Sequence, residues 1–242
     1  MPTVLVTGAS RGLGLELTRQ YAEAPEGWRI LACVRAPSSA TALQALADSA
    51  AGRISIHALD VEDHSSIERL GSELAGESID VLINSAGTMG RRSFAEEGKQ
   101  FGRFGDSDYE DWAQVFRLNV MGPMKMAETF VEHVARSDQK KLITLSSILG
   151  SIEKNTIGGL YAYRASKSAV NAIMRSMAID LARSHGIIAT ALHPGWVRTD
   201  MGGPNADIDA VESAAGMRRV IAGLDASKAG RYWVYDGSEL PW

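Results

Sequence analysis

Short β-branched and apolar runs alternate with helix-length patterns along nearly the whole chain, and this alternation limits the fold more than any other feature. Residues 3–7, 28–34, 54–59, 79–83, 140–145, 187–192 and 232–235 read as strands. Between them lie helical patterns: one from about Gly12, with Leu13, Leu17 and Tyr21 at i, i+4 and i+8, then residues 38–50, 65–74, 108–135, 160–185 and 210–223. The pattern over 108–135 is interrupted by Gly122-Pro123. A parallel crossover needs about a dozen residues or more, so the alternation predicts an α/β fold: one domain over residues 1–242, a doubly wound parallel seven-stranded sheet with helices on both faces. In such sheets ligands bind beyond the carboxyl ends of the strands. Gly8, Arg35, Asp60, Asn84, Ser147 and Pro194 all fall at predicted strand ends and are expected to converge on one rim.

The first strand leads into glycines at 8, 12 and 14, and the first helix starts within that turn. A strand that turns on glycine into a helix N-terminus presents main-chain N–H groups and the positive end of the helix dipole to an anion. The turn is therefore a candidate dinucleotide-phosphate cradle. Two other readings are open at this point. Gly8-Ala9-Ser10-Arg11-Gly12 also satisfies G-x-S-x-G, the nucleophile-elbow pattern of serine hydrolases. Glycine turns can also serve tight packing alone.

A chain of 242 residues can bury a full core, and its 45% apolar and 22% charged residues are those of a globular protein. A net charge of −4 gives no long-range pull toward nucleic acid or anionic membrane. No apolar run reaches bilayer length, and the first strand begins at residue 3, leaving no room for a signal peptide; a cytoplasmic location without membrane partners is expected. The single cysteine, Cys33, excludes an intrachain disulfide and reads as a buried small hydrophobe. His57, His64, His133, His185 and His193 show no metal-ligand spacing with one another or with Cys33, so no metal is expected.

Tyr163-Arg-Ala-Ser-Lys167 sets a phenol and an amine four residues apart near the start of a long helix, on one face. A free phenol, with a pKa of about 10, is a poor proton shuttle near neutrality, and a nearby ammonium favours the phenolate. On its own such a pair occurs on many helices by chance.

It stands among other motifs in a fixed order. Gly8-x-x-x-Gly12-x-Gly14 follows the first strand, Asn84-Ser85-Ala86-Gly87 the fourth, Asn119 the next helix, Ser147 the fifth strand, then Tyr163 and Lys167, and Pro194-Gly195 the sixth. Taken together these residues make the chain resemble the short-chain dehydrogenase/reductase family, with its Rossmann sheet, over essentially its whole length. Gly-Leu-Glu-Leu after the turn, residues 193–204, and Tyr-Asp-Gly followed by Pro-Trp look like the C-factor/sniffer carbonyl-reductase branch.

The resemblance implies a catalytic set of Asn119, Ser147, Tyr163 and Lys167. Tyr163 would exchange a proton with a carbonyl or alcohol oxygen as hydride moves. Lys167 would lower the tyrosine pKa and bind ribose hydroxyls. Ser147 would hold the substrate oxygen, and Asn119 a water linked to Lys167. Of the adjacent pair, Ser147 rather than Ser146 matches the family position; the loop before Tyr163 is longer than the common family pattern.

The coenzyme residues implied are Gly8, Ser10, Arg11, Gly12, Leu13, Gly14, Arg35, Asp60, Val61, Asn84, Ala86, Gly87, Tyr163, Lys167, Pro194, Gly195, Val197 and Thr199. An NAD site usually places a carboxylate after the second strand. Here the strand ends in Arg35, and with Arg11 it could neutralise a 2′-phosphate, which favours NADP(H) over NAD(H).

The expected activity is NADPH-dependent reduction of a ketone, aldehyde or quinone. The alternative is a non-catalytic NAD(P)-binding signalling or scaffold protein on the same fold. The loops over residues 88–107 and 202–209 are expected to line the substrate pocket. Helices 108–135 and 160–185 could supply a homodimer or homotetramer interface, or core. Met121, Met124 and Met126 read as core or interface, Asp200 as ordering its loop, and His193 as packed beside the site.

Overall fold

The computed structural model describes residues 1–91 and 102–242. In chain order it forms β1 (Thr3–Thr7), α1 (Gly12–Glu23), β2 (Arg29–Val34), α2 (Thr41–Ser49), β3 (Ile54–Ala58), α3 (His64–Glu73), β4 (Val81–Asn84), α4 (Tyr109–Phe116), α5 (Gly122–Ala135), β5 (Lys141–Leu145), α6 (Tyr161–His185), β6 (Ile188–His193), α7 (Ala210–Ala222) and β7 (Tyr232–Val234). The seven strands make one sheet in the order β3-β2-β1-β4-β5-β6-β7, and every neighbouring pair is parallel. The sheet is the doubly wound Rossmann-like one that the alternation implies.

Strand periodicity builds the two layers. Val4 and Val6 of β1, Ile30 and Ala32 of β2 and Ile83 of β4 pack on one face against Leu17 and Tyr21 of α1, Leu43 of α2, and Met217 and Ile221 of α7. Leu5, Leu31, Cys33 and Leu82 point to the other face, against Ile67 and Leu70 of α3, Met126 and Phe130 of α5, and Val170 and Met174 of α6. Cys33 is buried there, as its apolar neighbours suggest. β3 is an edge strand and only its first residue, Ile54, is buried. Trp28, which the apolar run assigns to β2, instead precedes the strand and packs edge-on against Tyr21 at 4.8 Å between ring centroids.

The long helical pattern over 108–135 is not broken at Gly122-Pro123. It carries a π-helical turn, Arg117–Met121, between α4 and α5. Pro123 stands in the first turn of α5, where a missing N–H matters least. Gly122 is there for closeness: a Cβ would come 2.9 Å from the Val61 carbonyl oxygen. Met126 is core, whereas Met121 is half exposed on the same segment. Among the described residues no helix is long and apolar enough to cross a membrane, and no group of three or more histidine, cysteine, aspartate or glutamate side chains could hold a metal ion.

Candidate active site

The strand order reverses between β1 and β4, and a cleft of about 500 Å³ opens there at the carboxyl ends of the strands. The glycine turn forms its floor. Gly8 and Gly12 have φ of 70° and 54°, a region that other residues rarely enter, and a Cβ on Gly14 would collide with the Gly8 carbonyl oxygen. Arg11, in extended conformation at the N-cap of α1, makes no side-chain cap, so the first N–H groups of the helix face the cleft.

Of the residues singled out from sequence, Gly8, Ser10, Arg11, Gly12, Leu13, Gly14, Arg35, Asp60, Val61, Ala86, Gly87, Tyr163, Lys167, Pro194 and Thr199 all line this cleft. The structure places three others beside it. Asn84 is buried in the sheet, where its side-chain N–H donates to Thr144 Oγ1 at 3.2 Å. Gly195 packs so tightly that a Cβ would lie 2.7 Å from Ile208 and 2.9 Å from Tyr235. Val197 is buried and bridges to Ile208, which ties down the 202–209 loop. Arg198 N–H donors to the Ala206 and Asp207 carbonyls hold the same loop. Of the 88–107 loop, residues 92–101 lie outside the described residues.

The cleft has further walls that sequence reasoning did not single out. Ala36, Ser39, Ala40, Thr41 and Ala42 line it beside Arg35. A single 3₁₀ turn, Pro37–Ser39, delays the second helix to Thr41 and so brings its N-terminus to the cleft. A small polar run opening a helix was the available signal. Asp200 and Met201 line the cleft from the opposite side. Asp200, expected to order its own loop, has its carboxylate paired with Arg11 at 2.8 Å, across the mouth of the glycine turn.

Ser147, Tyr163, Lys167 and Asn119 come together where β5 and α6 meet. Tyr163 lies in the first turn of α6, after Leu160 takes a left-handed conformation (φ 52°) that ends the preceding loop. Its phenol faces the Ser147 side chain, which favours the phenolate. The Ser147 hydroxyl also accepts the Leu149 N–H at 3.2 Å. Ser146 lines the cleft, which Ser147 and Asn119 do not, but its hydroxyl is spent on a buried partner: Ser146 Oγ donates to Asn171 Oδ1 at 2.6 Å. The geometry thus separates the two serines.

Lys167 Nζ donates to the Leu145 carbonyl at 2.9 Å and sits 5.6 Å from the centroid of the Tyr163 ring. Asn119, in the π-helical turn, clamps the chain after β4. Its Oδ1 accepts the Thr88 N–H at 2.9 Å, and its Nδ2 donates to the Thr88 carbonyl at 2.8 Å and to Ser166 Oγ at 3.0 Å. Ser166 Oγ in turn donates to the Tyr163 carbonyl at 2.8 Å, so Asn119 braces the turn that carries the tyrosine.

The electrostatics differ from the expectation of a phenol lowered by its lysine. Burial pushes Tyr163 up to about 12, against a smaller downward effect of the Ser147 hydrogen bond. Burial pulls Lys167 down to about 8. The protein alone therefore makes Tyr163 a held proton and Lys167 a marginal cation. His193, packed at the end of β6 with its Nδ1 unpaired, is pulled down to about 4 by burial. It is a neutral packing residue.

A doubly wound sheet with a glycine-turn cleft at its switch point, flanked by Ser, Tyr and Lys, defines a nucleotide-dependent oxidoreductase class. The model of that class, short chain dehydrogenase, matches residues 2–209, and the chain belongs to this family of NAD(P)-dependent oxidoreductases. It is similar to the C-signal protein of Myxococcus xanthus, with 42% identity over 164 residues, 68% of this chain and 93% of that protein. Among solved structures, the carbonyl reductase Sniffer of D. melanogaster superposes with a TM-score of 0.90 at 31% identity, covering all of both chains. The NADPH-bound carbonyl reductase from chicken fatty liver superposes with a TM-score of 0.89 at 30% identity, covering 100% of this chain and 99% of that one. These similarities place the chain in the C-factor/sniffer-like branch.

Proposed function

We propose that the protein is an NADPH-dependent carbonyl reductase with Tyr163 as its proton donor. The observation that carries this reading is the buried Tyr163 ring, its centroid 5.6 Å from the Lys167 amine and its phenol facing Ser147, on the wall of the same cleft whose floor is the glycine turn.

The cleft fits an extended dinucleotide. Its floor offers uncapped helix N–H groups for a pyrophosphate. Asp60, Val61, Ala86 and Gly87 would flank the adenosine half, and Thr199 and Lys167 the nicotinamide half. A Cβ on Gly87 would point between Asn119 and Lys167, at 3.6 and 3.7 Å, so a glycine there keeps the approach to the amine open. At the end of β2 the cleft is lined by Arg35 and by the N-terminus of α2, with no carboxylate from the strand end; both favour a 2′-phosphate over a free hydroxyl. The chicken carbonyl reductase, similar over the whole chain, has NADPH bound. Arg11 would add to this site by exchanging Asp200 for phosphate.

When bound, the coenzyme supplies the hydride. The rest is done by the protein. Ser147 holds the carbonyl oxygen of the substrate, and Tyr163 delivers its proton to that oxygen as the carbonyl carbon becomes an alcohol carbon. Lys167, still largely cationic near neutral pH, stabilises the phenolate left behind. Asn119 keeps the turn carrying Tyr163 in register through Ser166. The test is a panel of ketones, aldehydes and quinones assayed with NADPH and NADH in parallel. Carbonyl-dependent oxidation of NADPH, with NADH poorer, is expected. NADPH binding without turnover of any carbonyl or alcohol would instead indicate a binding protein on this fold.

A further inference from the structure

Ser147 is held at its back as well as its front. Its carbonyl accepts the Gly150 N–H at 2.7 Å, closing the turn that follows β5. The same carbonyl accepts the hydroxyl of Tyr232, the first residue of β7 and fully buried. Both lone pairs of that oxygen are thereby used, which fixes the peptide plane from which the Ser147 side chain projects. The turn has little room to move. A Cβ on Gly150 would meet the main chain of Lys167 at 2.8 Å, and the Gly150 carbonyl accepts Ser168 Oγ at 2.9 Å and Asn171 Nδ2 at 3.2 Å. Asn171 Oδ1 also takes the Ser146 hydroxyl.

Tyr232 is itself anchored. Its ring stacks on Trp242, with centroids 5.3 Å apart and planes 17° from parallel, and the Trp242 carbonyl accepts the Ile152 N–H at 2.5 Å. A buried core ring at this place needs no hydroxyl for packing alone; a buried hydroxyl is retained where it has a partner. The bond it makes here is to the main chain of the serine that faces Tyr163, beside the Ser146 and Asn171 side chains.

We propose that Tyr232 is the positioning residue of Ser147: its hydroxyl locks the serine carbonyl and so aims the serine side chain at Tyr163 and the substrate oxygen. This rests on the reading of Ser147 and Tyr163 given above. Tyr232 does not line the cleft; its hydroxyl also lies beside the Ser146 and Asn171 side chains, so a double variant with Ser147→Ala isolates the part of its effect that runs through Ser147.

The test is Tyr232→Phe, which keeps the ring and its stacking on Trp242 and removes the hydroxyl. It is compared with Ser147→Ala, Tyr163→Phe and the double variant Tyr232→Phe/Ser147→Ala. The expected loss in kcat is roughly ten-fold or more, because misaiming a reactive group by a fraction of an ångström is costly. NADPH affinity and KM stay within about two-fold of wild type, since the hydroxyl contributes nothing to the cleft. With the alcohol as substrate, the rise of kcat with pH moves to higher pH, because a misaimed Ser147 no longer stabilises the Tyr163 phenolate. In the Ser147→Ala background the further effect of Tyr232→Phe falls below about two-fold.

If Tyr232→Phe does not fold, Asn171→Ala releases the same turn from its other side, and the same dependence on Ser147 is expected. Wild-type kcat in Tyr232→Phe, or an equal loss with and without Ser147, overturns the inference. If Ser147→Ala and Tyr163→Phe are both fully active, the reading of the site itself fails and this inference falls with it.

Discussion

The adjacent serines offer a sharp experiment, because the structure predicts opposite consequences for the same substitution one residue apart. Ser146 Oγ donates to Asn171 Oδ1 at 2.6 Å in a site where both side chains are buried. Removing it leaves a buried amide oxygen short of its donor, which costs ~1–3 kcal/mol. For a chain of this length that is a fall in Tm of roughly 2–4 °C for each kcal/mol. Catalysis in Ser146→Ala should stay within a few-fold of wild type. Ser147 instead faces Tyr163, and its hydroxyl also accepts the Leu149 N–H at 3.2 Å in a single short turn. Losing that cap costs about 1 kcal/mol or less. Losing a donor at the developing oxyanion, however, costs roughly 10²–10³ in kcat. Thermal melting and carbonyl-dependent NADPH oxidation on the two purified variants give both axes. An inactive Ser146→Ala, or an equal loss of activity in the two alanine variants, would refute this division of roles.

Three further outcomes follow from the same geometry. Arg35→Ala should raise the KM for NADPH roughly ten-fold or more and leave that for NADH nearly unchanged, since a charge-assisted hydrogen bond to phosphate contributes about 1.5–3 kcal/mol; parallel kinetics with the two coenzymes check it. Lys167 has a folded pKa of about 8, below its ordinary 10.5, so the unfolded chain binds more protons between those values and stability rises with pH across that window. In Lys167→Met this rise should disappear from denaturant melts while kcat collapses, and reduction by the wild type should fall as pH climbs through about 8. Gly14→Ala would drive a Cβ into the Gly8 carbonyl oxygen, so the first turn of α1 must shift. A lower Tm together with lost NADPH binding, read by melting and coenzyme fluorescence, is expected.

Where the chain's chemistry repeats with the period of its structure, the fold was legible. Strands β1, β2 and β5 sit in β-branched or leucine-rich runs that bury both faces, and their C-terminal ends fall within a residue of where the periodicity puts them. The π-helical turn at Arg117–Met121 was not, because one extra residue in a helical pattern leaves the apolar spacing almost unchanged. The glycine turn and the Ser-Tyr-Lys group announce themselves by residue type. The wall made by Ala36 and Ser39 to Ala42 does not, since small residues beside a helix N-terminus contribute main chain rather than distinctive side chains. Contacts between distant segments were equally silent. Arg11 and Asp200 are 189 residues apart and each carries an ordinary surface charge until the fold joins them. Asn84 sits in a conspicuous Asn-Ser-Ala-Gly motif, yet its side chain is spent on Thr144 across the sheet. The tyrosine environment is not legible for a physical reason: spacing on a helix reveals that an amine is near, but not how deeply the pair is buried, and burial is the larger effect on both groups.

If Tyr163 gives the proton, the most direct measurement is Tyr163→Phe on the best substrate of the panel, with NADPH affinity measured on the same sample. Phenylalanine keeps the ring packed beside Lys167 and removes only the hydroxyl. A fall in kcat of at least about 10²–10⁴-fold with NADPH binding intact is predicted. Turnover within a few-fold of wild type on every active carbonyl would contradict it.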